Sequence, residues 1–269
     1  MVNKINEIYE NQNRSRYQQW FWGILVLILI IWSGSTVNEV NMTKMGLSVA
    51  VNIFKGILSP DTDLLFNFTK QSVPYLLLET MAIAFLGTLT GAVFSFPIAF
   101  LASSKIMPVP VVVIVRLFVI IIRTIPSFVY GLMFIRVTGP GAFAGLMTLS
   151  VTSIGMLTKL FSETIDDIDT SILEALDAAG LNTFQKIRYG IIPQLSASLL
   201  STLIFRFDMN LRDASTLGIV GAGGIGAPLI FAMSSYRWNQ VGAILIGLIT
   251  LILVVEYLSG KIRTRLATG

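Results

Sequence analysis

Arg123 and Arg206 each stand inside a long apolar stretch, where a charge costs about 3 kcal/mol even by insertion scales and so marks a bundle interior or a watery path. A guanidinium is planar, always protonated and offers a fork of donors, which suits an oxyanion such as phosphonate or phosphate. Counting the helical rise from Val109 and from Gln194 puts Arg123 about 21 Å and Arg206 about 18 Å from one surface. Arg116, seven residues before Arg123, falls on the same helix face. Around Arg206 stand Asp208, Asn210, Arg212 and Asp213. Two readings compete. Arg123, Arg206, Asp208, Asn210 and Arg212 line a path for a small anion. Alternatively Asp208 pairs with Arg212 four residues on, and Asp213 pairs with Arg206 or Arg116, leaving a neutralised structural network.

Other chemistry is thinly supplied. The chain has no histidine and no cysteine, which removes the usual general base, the commonest zinc ligand, thiolate metal sites and disulfides. Histidine-dependent intramembrane proteases are thereby excluded, and no Gly-x-Gly-Asp occurs for an aspartyl type. Residues 221–226 spell G-x-G-x-x-G, but an apolar span precedes them and no βαβ unit surrounds them, so the dinucleotide reading fails. No G-x-x-x-x-G-K-[ST] occurs either, so the chain has no phosphate-cradling loop for ATP.

The elements that must carry these residues are membrane helices. Of 269 residues 54% are hydrophobic and 13% charged, against about 25% charged in soluble domains; mean hydropathy is +0.77. The net charge of +4 is too small and scattered for nucleic acid. Six spans are expected, at 20–32, 79–103, 109–136, 141–160, 194–220 and 239–259. The first follows a polar lead of 19 residues, longer than a signal peptide usually carries, which favours an uncleaved span over the alternative of cleavage near Ser33-Gly34-Ser35. Trp20, Trp22 and Trp32 mark its interfaces. Residues 45–58 read as an amphipathic helix in the outer interface. Pro126 reads as a kink or break in the third span. Two regions result: 1–70, with the N-terminal segment, first span and interfacial helix, and 71–269, the core.

Orientation follows from Lys and Arg. With the N-terminus inside, inner segments hold Lys4, Arg14, Arg16, Lys105, Lys159, Lys186, Arg188, Lys261, Arg263 and Arg265. Outer segments hold half as many, Lys44, Lys55, Lys70, Arg136 and Arg237. The excess favours both termini inside and places residues 163–193 in the cytoplasm. Glu79 and Glu256 fall at span ends and read as interfacial.

Residues 163–193 interrupt the apolar pattern with charge. Ile165, Ile168, Ile172, Leu176 and Ala179 recur at three- and four-residue steps, which predicts one helix with a narrow apolar stripe. Gly180 suits its left-handed end. Asn182 or Thr183 can cap a second short helix striped by Phe184, Ile187 and Ile191, and Pro193 fits the first turn of the next span. Such a loop either packs on its own bundle or docks a soluble partner.

Glu174-Ala175-Leu176, then Gly180, then Ile191-Ile192-Pro193, resembles the coupling-loop signature of bacterial ABC importer permeases. Glu174, Ala175, Gly180 and Pro193 match it. Leu176 replaces a second alanine, Ile192 a leucine, and Gly190 stands where many members have isoleucine, a departure that fits the phosphonate branch. Residues 122–126, 137–141, 205–212 and 217–226 also resemble phosphonate-type permeases. The resemblance implies an all-α type I importer fold in the bacterial cytoplasmic membrane. It further implies a homodimer, two cytosolic ABC ATPase subunits holding the ATP and Mg, and an extracytoplasmic binding protein, with no cofactor on this chain. Gly221, Gly223, Gly224 and Gly226 would form an outer gate loop; a flexible exit turn is the plainer alternative. The competing function is a secondary transporter or channel for small anions that works without an ATPase, although no inverted repeat is evident.

Overall fold

The computed structural model describes residues 2–36, 44–69 and 71–268, and every element among them is helical. Lys70, one of the basic residues weighed for orientation, lies outside them. Contacts divide the chain into Met1–Asn52 and Ile53–Gly269.

The first unit is built on helix α1, Val2–Thr36. The polar lead is therefore not separate from the first span; both lie on one helix, whose Gln18–Ser35 stretch is long and apolar enough to cross a membrane. Trp20, Phe21, Trp22 and Trp32 are all exposed on it. Helix α2, Lys44–Leu58, straddles the boundary between the units.

The second unit holds the bundle. Short α3, Thr62–Phe66, is capped by the Asp61 carboxylate. Helix α4, Val73–Ala102, starts six residues before the expected Glu79 because Ser72 and Pro74 favour the first turn there. The third span is not continuous. Helices α5, Val109–Thr124, and α6, Ser127–Thr138, meet at 83°, because Pro126 lacks a donor and forces Ile125 into extended backbone. The Tyr130 hydroxyl donates back to the Ile122 carbonyl at 3.2 Å, fastening the bend. Helix α7 runs from Ala142 to Asp166, past the expected end at Leu160. Beyond the loop, α10 covers Ile192–Leu217 and continues as a 3-10 turn, Gly218–Val220. An unexpected short helix, α11, Gly226–Ser234, precedes the last span, α12, Trp238–Thr268. Among the described residues five helices are long and apolar enough to cross a membrane, six if the bent pair counts as one span.

Small residues bring α4 and α7 together, as in membrane bundles generally. A Cβ on Gly87 would lie 2.6 Å from the Leu149 Cβ, and one on Gly91 would run into Ser153. Three buried clusters stack along the bundle. One at the loop end joins Ala99, Leu157, Ile165, Ile191 and Leu199. A middle one joins Ile83, Leu149, Leu211 and Leu217. One at the opposite end joins Val73, Ile225, Val241 and Ile244.

Candidate functional site

The loop is two short helices, but the expected stripe is divided between the first of them and the preceding span. Ile165 ends α7, whose last carbonyls are closed by the Asp167 N–H. Asp169 then starts a new helix, α8, Thr170–Ala178, by accepting from the Ser171 N–H at 2.9 Å. That N–H, and then the Ser171 hydroxyl, hold the Asp169 carboxyl below its ordinary range. A local carboxylate cap at Asp169 thus interrupts what hydrophobic spacing alone reads as one helix. Gly180 has φ +74°, and the Gly180 and Leu181 N–H groups donate to the Asp177 and Leu176 carbonyls at 2.9 and 3.2 Å, a left-handed helix end. Asn182 and Gln185 form a reciprocal capping box over α9, Thr183–Gln185. The chain enters α10 through a π-helical segment, Lys186–Ile191, with Pro193 in the first turn of α10. An ion pair between Lys186 and Asp177 ties α8 to that segment.

The loop therefore has two faces. Ile168 and Ile191 are buried, and Ile172, Leu173 and Ile187 pack against the same loop-end core. Glu174, Ala175, Ala178 and Gly180 are exposed, and Phe184 is 70% exposed. Packing on its own bundle and presenting a free outer face are both true.

Leu176 and Gly190 meet. A Cβ on Gly190 would run into the Leu176 Cδ1, so the larger residue on α8 occupies room that the glycine leaves in the π segment. Because a leucine tip can partly rotate aside, Gly190→Ala is expected to destabilise the loop by only about 1 kcal/mol, the low end of overpacking. Adding Leu176→Ala should recover part of that loss, measured as Tm of the single and double variants.

Asp166 anchors the loop to the bundle. One oxygen accepts from the Ser103 hydroxyl at 2.6 Å and from the Ser104 and Lys105 N–H groups at 2.9 and 3.4 Å. The other pairs with Arg116 at 2.6 Å, whose Nε donates to the Ala102 carbonyl at 3.0 Å. The Lys105 ammonium donates to the Ile168 carbonyl. The turn between α4 and α5 is thus sewn to the end of α7. In the sequence Asp166 is one charge of the 163–193 segment, and a separation of about 60 residues hid its partners. Asp166→Ala should lower stability by about 2 kcal/mol, a figure kept modest because Arg116 is half exposed. Faster amide exchange over residues 163–180 would check it.

The five residues expected along a path fall in three places. Arg206 is 4% exposed. Its three nitrogens donate to Ser153 Oγ at 3.1 Å, Met156 Sδ at 3.1 Å and Thr152 Oγ1 at 3.0 Å. Asn210, one turn on, shares Ser153 at 2.8 Å and also donates to Thr88 Oγ1 at 2.7 Å. Both therefore join α10 to α7, and Asn210 joins it to α4 as well. Asp208 and Arg212 face the other way, to α12. Asp208 accepts from the Ser259 hydroxyl at 2.8 Å and lies 3.6 Å from Arg263, while Arg212 pairs with Glu256 at 3.1 Å. The expected Asp208–Arg212 pair is not formed, because α12 offers each a partner of opposite sign. Asp213 makes no direct ion pair with Arg206 or Arg116 among the described residues, although it still interacts electrostatically with Arg206; Arg116 is taken by Asp166. Arg123 lies apart on α5, its Cγ against Gly155 of α7, and is exposed.

At the far end the glycine-rich turn is threaded between α4 and α7. Gly221 accepts from the Gly141 N–H at 2.9 Å. The Ile225 N–H donates to Thr80 Oγ1 at 2.9 Å, and the Gly224 N–H to the Glu79 carboxylate at 3.3 Å. Gly223 has φ +80°, and a Cβ there would sit 2.6 Å from Ala142 Cα. With Ala222 and Ile225 buried, the segment is a packed strap rather than a loose turn. Glu79 holds it, a role its position near a span end did not suggest.

Comparison with known proteins accords with this architecture. The family described as binding-protein-dependent transport system inner membrane component matches residues 95–266. The phosphite transport system permease protein PtxC of Stutzerimonas stutzeri is 32% identical over 70% of this chain and 68% of its own. The phosphate-import permease protein PhnE of Mycolicibacterium smegmatis is 31% identical over 81% of this chain and 40% of its own. Among solved structures, an inward-facing MetNI methionine ABC transporter chain gives a TM-score of 0.64 at 21% identity, covering 72% of this chain and 95% of that one. These likenesses leave the ATPase-independent transporter reading without support. The match over more than half the sequence makes this chain a member of the binding-protein-dependent transport system inner membrane components.

Proposed function

We propose that this multi-pass inner-membrane permease takes phosphonate or a related small phosphorus oxyanion from an extracytoplasmic binding protein and passes it into the cytoplasm by alternating access. It works as a homodimer with two copies of a cytosolic ABC ATPase, which hold the ATP and Mg. Both termini lie inside. The observation that carries this reading is the two-faced loop: its apolar side is locked into the loop-end core, while Glu174, Ala175 and Gly180 stay exposed for a partner. The names of its phosphite and phosphate relatives support the cargo class.

Closure of the ATPase subunits presses the loops together, and Asp166 passes that movement to α5 through Arg116 and to the α4–α5 turn. The strap Gly221, Gly223, Gly224 and Gly226 then yields on the outer side. Arg123 lines the path. Arg206 and Asn210 hold α10 to α7, and Asp208 and Arg212 hold it to α12, so α10 moves with both neighbours.

The chain has no cysteine, so one introduced by Glu174→Cys reports alone. A membrane-impermeant maleimide should label it only in broken cells, and a short crosslinker should join it to the ATPase. Labelling in intact cells would overturn the assigned orientation and the docking role together.

A further inference from the structure

A cavity of about 260 Å³ lies between α5 and the loop-side half of α7. We propose that it binds a small tetrahedral oxyanion through the Arg123 guanidinium and the Thr158 hydroxyl, as an inner station on the path. The inference rests on the importer reading and gives it a specific cargo site.

Thr158 is the first observation. It is fully buried and lines the cavity, yet its hydroxyl has no hydrogen-bond partner among the described residues. Thr148, Thr152 and Thr164 on the same helix all turn their hydroxyls back to the carbonyl four residues earlier. Thr158 does not, and a buried polar group left unpaired calls for an explanation. Its side chain lines the cavity, where an oxyanion oxygen would give the hydroxyl a partner once it rotates clear of its packing.

Arg123 is the second. Its stem lies over Gly155, one turn before Thr158, where a Cβ would sit 2.9 Å from the Arg123 Cγ. The other cations of the cavity are already neutralised, Arg116 by Asp166 at 2.6 Å and Lys159 by Glu163 at 3.1 Å. Arg123 has no ion pair or hydrogen bond among the described residues, so its forked donors remain for a ligand. An uncompensated arginine within a span must face water or a counter-charge rather than lipid. The space admits an anion and a few waters, each about 30 Å³ in the liquid. Asp167, which also lines the cavity, carries the cargo's own sign and opposes tight retention, as release requires.

The test uses the full-length permease–ATPase complex in detergent, without binding protein or nucleotide, and radiolabelled inorganic phosphate in equilibrium dialysis. Saturable binding is expected, competed by sulfate and not by acetate. Arg123→Gln and Thr158→Val should each weaken it at least tenfold, and Thr158→Ser should retain it. Thr158→Val removes an unpaired hydroxyl, so its Tm without phosphate should equal or exceed that of the parent, which separates lost binding from lost fold. Absence of saturable binding in the parent, or unchanged binding in either weakening variant, overturns the site. ATP-driven uptake in proteoliposomes, measured alongside, tells the two failures apart. Uptake that still needs the ATPase leaves the importer reading standing without this site, whereas uptake without any ATPase removes that reading itself.

Discussion

Gly180→Asp should leave the permease folded and membrane-inserted yet reduce ATP-driven uptake more than tenfold, with ATP hydrolysis no longer tied to transport. The glycine sits at φ +74° with nothing within 4 Å of where a Cβ would be. A side chain there meets open space, and the fold bears only the backbone cost, about 1 kcal/mol for a residue type that tolerates the left-handed region. Loss of transport on that scale then comes from what the new side chain meets outside this chain. Gly180→Asn separates the two causes, because it carries the same backbone cost without the charge. It should keep most of the uptake if charge against the ATPase groove is the disrupting element. Uptake and ATPase rates in proteoliposomes, with Tm as the check on folding, decide the matter. Full ATP-dependent uptake by the Asp variant would remove the loop from the coupling path.

The same geometry explains why the loop can transmit force. A docking face carried on a floppy segment would absorb movement. Here α8 and the π segment are braced by Ile172, Leu173 and Ile187 on the core side, by the Lys186–Asp177 ion pair, and by Asp166 at the root. Asp166 reaches α5, which also carries Arg123, so loop displacement and the shape of the inner cavity share one anchor.

Much of this was readable from residue patterns that act locally. Gly180 at a left-handed end, the Asn182 cap and the Pro126 break are set by a residue's own backbone preferences, and they appear where expected. The long spans were legible because hydrophobicity over about 20 residues leaves few alternatives. What stayed hidden depends on contacts between distant segments. The charges of α10 were read against their near neighbours in sequence, and Asp208 and Arg212 instead found partners on α12 some 44 to 51 residues on. The stripe from Ile165 to Ala179 has helical spacing throughout, yet the Asp169 cap divides it. Thr158 carries no sequence signal at all, since only the packed bundle shows that its hydroxyl is stranded.

The glycine strap yields the other large expected effect. Gly226 opens α11 directly against the end of α10: a Cβ there would run into the Ser215 carbonyl oxygen and lie 2.8 Å from Gly218 Cα. Both obstacles are backbone, which cannot rotate aside as a side-chain tip can. Gly226→Ala must therefore push α11 away from α10 and disturb the neighbouring Ile225, which is fully buried and whose N–H is held by Thr80. The expected cost is about 3 kcal/mol, the upper end of ordinary overpacking, with a lower Tm and little uptake. Gly260→Ala is the matched control, since that glycine lies in α12 without a left-handed φ and has nothing within 4 Å of its Cβ position; it should lose far less. If the strap is the outer gate, a milder loosening should leave it ajar rather than unfolded. Thr80→Val removes the hydroxyl that accepts from the Ile225 N–H while keeping the side chain's shape, and should raise ATP hydrolysis in the absence of binding protein. Unchanged basal hydrolysis in that variant, with Gly226→Ala no worse than Gly260→Ala, would reduce the strap to a passive connection.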